Sequence, residues 1–436
     1  MGSTLRLGSD LIWPGSASSL LLEYRLMPDL LRPDLVATDV LRTFAGVYSI
    51  YDPILNDLEA CGFSEIGAPK TLYIFPYDWR KSNYEAAAAL AKTIDDIRAE
   101  HGSDLKITLI AHSMGGLVSR CYLESGDFDA RPGMACVKML ITIGTPHRGA
   151  PAAAIYAAGI EKKLFLSASQ VQQLASDQRY PALYELLPPE GEPFAWPHEE
   201  STAFAALNIY SRVTADGIGL VEANLKAAKA FHARLNPAQR PAHVRYFTFF
   251  GTRVNTTVNV SLEARGTALR TTPLRIDDAG DGTVPLWSTL PGIQSMPVGQ
   301  EHMKLFRDDD LRRTLAILLE VPGRLVAPSL VHVVANERVV ETDKVVSVAL
   351  LFPGGTTTID GSVRWVNVPA EGGPPELAGD AAKVQYSGAP VDKISLQLNS
   401  PSFPGYYRIE FVDETGEPVV PDEIIVQEPP AWVASP

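Results

Sequence analysis

Three kinds of residue that together can open an ester occur in this chain where loops meet regular structure. Ser113 lies in Lys106-Ile-Thr-Leu-Ile-Ala-His-Ser113-Met-Gly-Gly-Leu-Val-Ser-Arg120. A serine hydroxyl is a poor nucleophile until a base takes its proton and a third group orients that base. His302, in Val298-Gly-Gln-Glu-His302-Met-Lys-Leu, is the candidate base. Asp277, Asp278 and Asp281, in Ile276-Asp-Asp-Ala-Gly-Asp281-Gly-Thr-Val-Pro, are the candidate acids. Such a set attacks a carbonyl, forms a seryl ester and passes the acyl group to water or an alcohol.

The serine needs a strand, a tight turn and a helix to hold it. Ile107, Leu109 and Ile110 form a short apolar β-type run that ends at Ala111, and an amphipathic helical pattern follows Gly116. In so sharp a turn the flanking residues must be nearly free of side chain. Gly115 meets that need, and Ala111 is the smallest substitute for glycine on the other side. The hydroxyl then stands above a sheet edge at a helix N-terminus, where the dipole favours a developing oxyanion. The backbone amide of Met114, directly after the nucleophile, is one expected oxyanion donor.

The wider chain supplies those elements. Residues 1 to 325 alternate β-type runs with helical patterns, which predicts an α/β domain with a parallel sheet. Candidate strands are Thr71 to Phe75, the run before Ser113, Val137 to Ile143 and Val244 to Phe250. An alanine-rich helix is expected from Ser82 to Glu100, and another ending near Glu320. Residues 150 to 242 read as a helical insert without a convincing strand. Tyr156, Ile160 and Leu164 fall on one helical face, as do Val221, Leu225, Ala228, Phe231 and Leu235. These faces either line an acyl site or pack on the core.

After residue 325 the period changes to two. Val346, Val348, Leu350 and Phe352 alternate along one run, Ile394, Leu396 and Leu398 along another, and Tyr407, Ile409 and Phe411 along a third. Pro353-Gly354-Gly355, Gly372-Gly373-Pro374-Pro375 and Pro404-Gly405 are read as the turns between runs. This predicts a small antiparallel β-sandwich over 326–436 that folds on its own, its last hairpin similar to that of immunoglobulin-like modules.

Composition narrows the function classes. The 436 residues are 46% hydrophobic, with a net charge of 38 − 51 = −13. That balance argues against nucleic acid and against adhesion to anionic lipid. No run approaches the ~20 apolar residues of a membrane span, so no integral membrane segment is expected. Cys61, Cys121 and Cys136 have no paired spacing, which makes a cytoplasmic location the default. Neither a metal motif nor a cofactor-binding motif is present, so neither metal nor cofactor is expected.

A strand–turn–helix serine on a parallel sheet is the nucleophile elbow of α/β-hydrolases, in which the chain order is serine, acid, histidine. Of the eight histidines, His101, His112 and His147 lie early or crowd the elbow. His198, His232 and His243 lie in or beside the insert, and His332 lies beyond the boundary. His302 remains, in a loop after the last β-type run of the first domain. Among the aspartates, Asp281 is favoured because Gly280 and Gly282 allow a sharp loop that turns one carboxylate inward.

Several stretches resemble the lecithin:cholesterol acyltransferase family, which includes lysosomal phospholipase, phospholipid:diacylglycerol acyltransferases and bacterial relatives. They are Leu11-Ile-Trp-Pro-Gly15, Pro76-Tyr-Asp-Trp-Arg80, Ala111-His-Ser-Met-Gly-Gly116, Gly144-Thr-Pro146, Tyr180-Pro-Ala-Leu-Tyr-Glu-Leu-Leu-Pro188, Gly280-Asp-Gly-Thr-Val284 and His302. They keep the family's order over residues 1 to 320. The resemblance implies Ser113 as nucleophile, Asp281 as acid, His302 as base, and acyl transfer from an ester of a lipid. Asp78 and Trp79 are read as structural, Asp78 as a helix cap.

The chain departs from the family in two ways. No cysteine pair is placed to clamp a lid loop. The family also opens with an apolar strand leading into a Pro-Gly-x-x-Gly-Ser/Asn loop that supplies a second oxyanion donor, and Met1-Gly2-Ser3 aligns in the middle of that loop. The second donor, its strand and any targeting segment are therefore expected upstream of Met1. The sequence thus predicts an esterase, lipase or O-acyltransferase with a helical cap. The alternative is a catalytically weak protein that uses the cap cleft and the β region to hold a lipid or a partner, which the missing oxyanion strand favours; the β region carries no binding motif of its own.

Overall fold

The computed structural model describes residues 1–15, 24–44, 48–198, 206–321, 331–337, 339–369, 374–413 and 421–429. Three strands near the start, β1 (Ser3–Leu7), β2 (Asp10–Trp13) and β3 (Val36–Val40), form a small sheet in the order β2-β1-β3. Helix α1 (Asn83–His101) leads into strand β4 (Ile107–His112), helix α2 (Met114–Glu124) and strand β5 (Val137–Ile143). The insert contributes helices α3 (Ala152–Ala157), α4 (Ala168–Ala175) and α5 (Glu222–His232). Strand β6 (Arg245–Gly251), the hairpin β7 (Val254–Arg265) and β8 (Ala268–Gly280), strand β9 (Gln294–Val298) and helix α6 (Asp309–Leu318) complete this part.

The central sheet is parallel, in the order β9-β6-β5-β4. Its strands read as apolar runs because helices cover both faces. Ala86, Leu90 and Ile94 of α1 and Leu117 and Cys121 of α2 share a core with Val137 and Leu140. On the other face Ile54 and Leu58, from a helix over Asp52–Ala60, and Leu311 and Leu315 of α6 pack on Ile141 and Phe249. Thr71 to Phe75, expected as a strand, has no ladder partner among the described residues. Leu72, Ile74 and Phe75 instead line a cavity of about 1290 Å³, as do Ile107, Leu109 and Ile110 of β4. Extended chain becomes sheet only where a neighbour accepts its hydrogen bonds.

The Pro76–Arg80 stretch is a structural staple. Arg80 is buried, its guanidinium paired with Asp78 at 2.6 Å and donating to the carbonyls of Leu30 and, at 2.9 Å, Arg32. It also lies 4.5 Å above the Tyr180 ring. Trp79 packs edge-on against Trp13 at 5.2 Å and donates to the Ser3 carbonyl. Asp78 therefore does not cap a helix. Its carboxylate is taken by Arg80, and Ser82 caps α1 instead.

The insert departs from its predicted helices. The helix bearing Tyr156 ends at Ala157, and Gly159 (φ 69°) and Leu164 (φ 52°) are left-handed, so Ile160 and Leu164 do not continue its face. A short strand, Ala195–Pro197, pairs in parallel with β7, where none was expected. The two roles weighed for the apolar faces fall to different helices. Leu225 and Ala228 of α5 pack into the insert's own core and Phe231 into the main core, whereas Val171 and Leu174 of α4 line the cavity that reaches Ser113.

The C-terminal region is all-β. Strands β10 (His332–Ala335), β11 (Val339–Glu341), β12 (Val345–Asn367), β13 (Ala382–Asn399), β14 (Gly405–Asp413) and β15 (Asp422–Gln427) form a sheet in the order β10-β12-β14-β15-β11, with β13 also on β12. Pro353-Gly354-Gly355 is not a turn. The strand runs through it, with register shifts between Leu351 and Thr358 and Gly355 at φ 77°. A bulge absorbs the extra residues and bends the strand, so its first half pairs with β10 and β13 and its second with β13 and β14. The boundary near 325 and Gly372-Gly373 lie outside the described residues. This region has its own core around Val363, Trp365 and Ile409. Val339, Tyr406 and Ile425 join a second core with Leu5, Trp13 and Met114.

The Tyr180–Pro188 stretch closes on α1 through Glu185, whose carboxylate accepts from Ser82 Oγ and the Asn83 amide, both at 2.7 Å. Burial pushes this carboxyl up to about 7 against the pull of those hydrogen bonds. A raised carboxyl favours the protonated native state, so its contribution is complete below the unfolded value near 4.5 and is lost as pH rises through 7. Unfolding free energy measured by chemical denaturation should therefore fall with pH over this window by up to about 3 kcal/mol more in the wild type than in Glu185→Gln. Equal slopes in the two proteins would refute this reading of Glu185.

Candidate active site

Strand β4 ends in a turn that only a special backbone permits. Ser113 has φ 54° and ψ −127°, a left-handed conformation costly for a residue with a side chain, and its amide donates to the Ile143 carbonyl at 2.9 Å. A Cβ placed on Gly116 would sit 2.1 Å from Thr145 Oγ1, so only glycine lets α2 approach the end of β5 so closely. Met114 opens α2, and its amide, like other first-turn amides, has no acceptor within the helix.

His302 begins a 3₁₀ turn over His302–Arg307 that follows β9. Its Nε2 lies 2.8 Å from Ser113 Oγ and its Nδ1 lies 2.8 Å from Asp281 Oδ2. A carboxylate facing Nδ1 assigns the proton to that nitrogen and leaves Nε2 to accept from the serine. The other oxygen, Asp281 Oδ1, accepts from the amides of Thr283 at 3.0 Å and Val284 at 2.7 Å. The His302 amide donates to the Asp281 carbonyl at 2.9 Å, so backbone as well as side chain holds the pair. Asp281 is fully buried and His302 nearly so.

Glycines make the room for Asp281. A Cβ on Gly251, at the end of β6, would lie 2.2 Å from Asp281 Cβ. Gly144, just after β5, has φ 58°, and a Cβ there would meet Leu305 at 2.6 Å. The ends of two adjacent parallel strands are thus bare where the acid and base pass over them. Asp277 and Asp278 lie elsewhere: both are exposed on β8, paired with Lys393 at 3.5 and 2.5 Å. Of the three candidate acids, only Asp281 reaches the histidine.

His112, set aside in the sequence because it precedes the nucleophile, is part of the site. Its Nε2 donates to the His302 carbonyl at 3.0 Å, and its Nδ1 accepts from the Tyr51 hydroxyl at 3.0 Å. Burial, and next the proximity of His302, hold it well below its ordinary value, so it is neutral and carries one proton. Nothing in the spacing marks this role, since the contact spans 190 positions. His147, by contrast, is buried on Thr142 and serves packing.

The cavity at Ser113 is walled by Tyr77, Met114, Leu164, Val171, Leu174 and Leu186. Lys163 of the insert reaches Thr283 Oγ1 at 3.2 Å, tying insert to acid loop. If this geometry carries catalysis, Asp281→Asn should lower kcat by about 10⁴-fold with KM little changed, and Asp277→Asn and Asp278→Asn should be near wild type. Ester-hydrolysis kinetics on the three variants check this, and a large loss in either β8 variant would contradict it.

Residues 27–230 match the family model described as lecithin:cholesterol acyltransferase, a span that includes Ser113 but neither Asp281 nor His302. The chain is 28% identical over 349 residues to "Lecithin-cholesterol acyltransferase-like 4" of Arabidopsis thaliana, covering 67% of this chain and 62% of that protein. It is 26% identical over 317 residues to "Phospholipase A(1) LCAT3" of the same plant, covering 60% of this chain and 68% of that one. The match thus spans less than two thirds of the first relative. Among solved structures, the lin2722 gene product of Listeria innocua is similar at 13% identity, TM-score 0.28, over 56% of this chain and 68% of that one. Phospholipase PlaB from Legionella pneumophila is similar at 12% identity, TM-score 0.25, over 88% and 87%. With the family's motifs placed around one serine, and the family model and both plant relatives agreeing, the chain is similar to the lecithin:cholesterol acyltransferase family over the part that carries Ser113.

Proposed function

We propose that the protein is a serine-dependent acyl-ester hydrolase or O-acyltransferase that works on a lipid-like ester through a seryl acyl-enzyme. The observation that carries this reading is the Asp281–His302–Ser113 chain, two contacts of 2.8 Å, at an apolar cavity. Ser113 Oγ attacks the ester carbonyl while His302 Nε2 takes its proton. Asp281 orients the imidazole and stabilises the imidazolium that forms. The carbonyl oxygen gains charge beside the Met114 amide and the N-terminus of α2. The tetrahedral intermediate collapses, the alkoxide leaves with the proton from His302, and the acyl group remains on Ser113. Water or an alcohol, deprotonated by the same histidine, then releases it. The apolar wall of Val171, Leu174 and Leu186 suits an acyl chain, which transfers out of water at roughly 0.8 kcal/mol per CH₂.

Ser113→Ala should keep the wild-type fold by circular dichroism and lose turnover of a short p-nitrophenyl ester by about 10⁴-fold or more. A fluorophosphonate should label Ser113 in the wild type, and modification elsewhere with Ser113 untouched would refute the mechanism. Products formed with and without an added long-chain alcohol separate the two activities. A new ester at the expense of free acid marks a transferase, and free acid alone marks a hydrolase.

A further inference from the structure

The turn that carries His302 also carries two basic residues, Lys304 and Arg307, and both are paired with the C-terminal β region. Lys304 forms an ion pair with Asp422, the first residue of β15, and both side chains are buried. The Asp422 carboxylate is held in turn by the backbone, accepting from the Ala335 amide at 2.6 Å and the Glu423 amide at 2.7 Å. Arg307 reaches Glu423 at 2.8 Å. Successive carboxylates at the start of one strand thus hold the middle and the last residue of a single short turn. The packing agrees: Tyr406 and Ile425 share a core with Met114, the residue after the nucleophile, and Met303 packs against it. A 3₁₀ turn has too few internal hydrogen bonds to fix a side chain unaided. A buried ammonium–carboxylate pair is stiff because neither partner can turn to water without leaving the other's charge unmet.

We propose that Asp422, which does not line the substrate cavity, is a positioning residue for the His302 base, so that the β region helps to set the geometry of catalysis. This rests on the triad reading above. Through Lys304, Asp422 fixes the turn two residues from His302, as Asp281 fixes the imidazole itself. Displacement by about 1 Å at a reacting group costs on the order of 10²-fold in rate. Loosening the turn should therefore appear in kcat, with substrate binding unaltered.

The test uses the full chain as wild type, Ser113→Ala, Asp422→Asn and Glu423→Gln, with ester kinetics, thermal unfolding and the NMR resonance of the His302 Nδ1 proton. Asp422→Asn is expected to lower kcat by about 10²-fold with KM within about twofold, and to weaken the Nδ1 proton signal. Glu423→Gln, which releases only the outer pair, is expected to lower kcat by about threefold at unchanged KM. A folded Asp422→Asn with wild-type kcat overturns the proposal, even if its unfolding midpoint falls, since that outcome marks a purely structural pair. If Asp422→Asn does not fold, Glu423→Gln decides, and full kcat there overturns the proposal. Activity surviving in Ser113→Ala refutes the triad and the positioning together. An inactive Ser113→Ala beside a normal Asp422→Asn refutes the positioning alone.

Discussion

A carboxylate with no exposure to solvent must have each of its oxygens met, and Asp281 meets that demand with two backbone amides on one oxygen and His302 on the other. Much of the site follows from this constraint. The amides come from Thr283 and Val284, so the loop must fold back on itself, and Gly282 at φ 87° lets it. The carboxylate must pass over the ends of β5 and β6, so positions 144 and 251 are glycine. The histidine must present Nδ1 to the acid and Nε2 to the serine, so its backbone is tied at both ends: its amide to Asp281, its carbonyl to His112.

The surrounding structure is a series of fasteners between distant segments rather than one continuous core. Arg80 gathers the carbonyls near residue 30, the ring of Tyr180 and its own Asp78, so the start of the chain, the approach to α1 and the insert meet at one guanidinium. Glu185 closes the insert on the N-terminus of α1. Lys163 links insert to acid loop, and Lys304 links base loop to β15.

Elements whose formation is decided locally were legible in the sequence. The buried strands Val137–Ile143 and Arg245–Gly251 and the alanine-rich α1 follow from apolar runs, period and a serine cap. The elbow follows from small residues around Ser113, and Asp281 from its flanking glycines. The readings that failed needed a partner the sequence does not display. Thr71–Phe75 has strand composition but no neighbouring ladder among the described residues. Pro353-Gly354-Gly355 has turn composition, yet β10 and β13 on one side of it and β13 and β14 on the other carry the strand through as a bulge. Asp78 has cap composition, but its carboxylate is taken by the side chain and amide of Arg80, and Ser82 caps the helix.

The sequence by itself singled out the serine, the histidine and a short list of aspartates that meet in the structure, and the α/β order of the first part of the chain. These rest on residue type and local spacing. Tertiary structure alone decided that His112 braces His302 from the serine's own strand, that α4 rather than α5 walls the cavity, and that β15 grips the base loop. Each of those is a contact between residues far apart in the chain. Directional bonds and burial select such contacts only once the sheet has brought the segments within reach, and no periodicity along the chain records them.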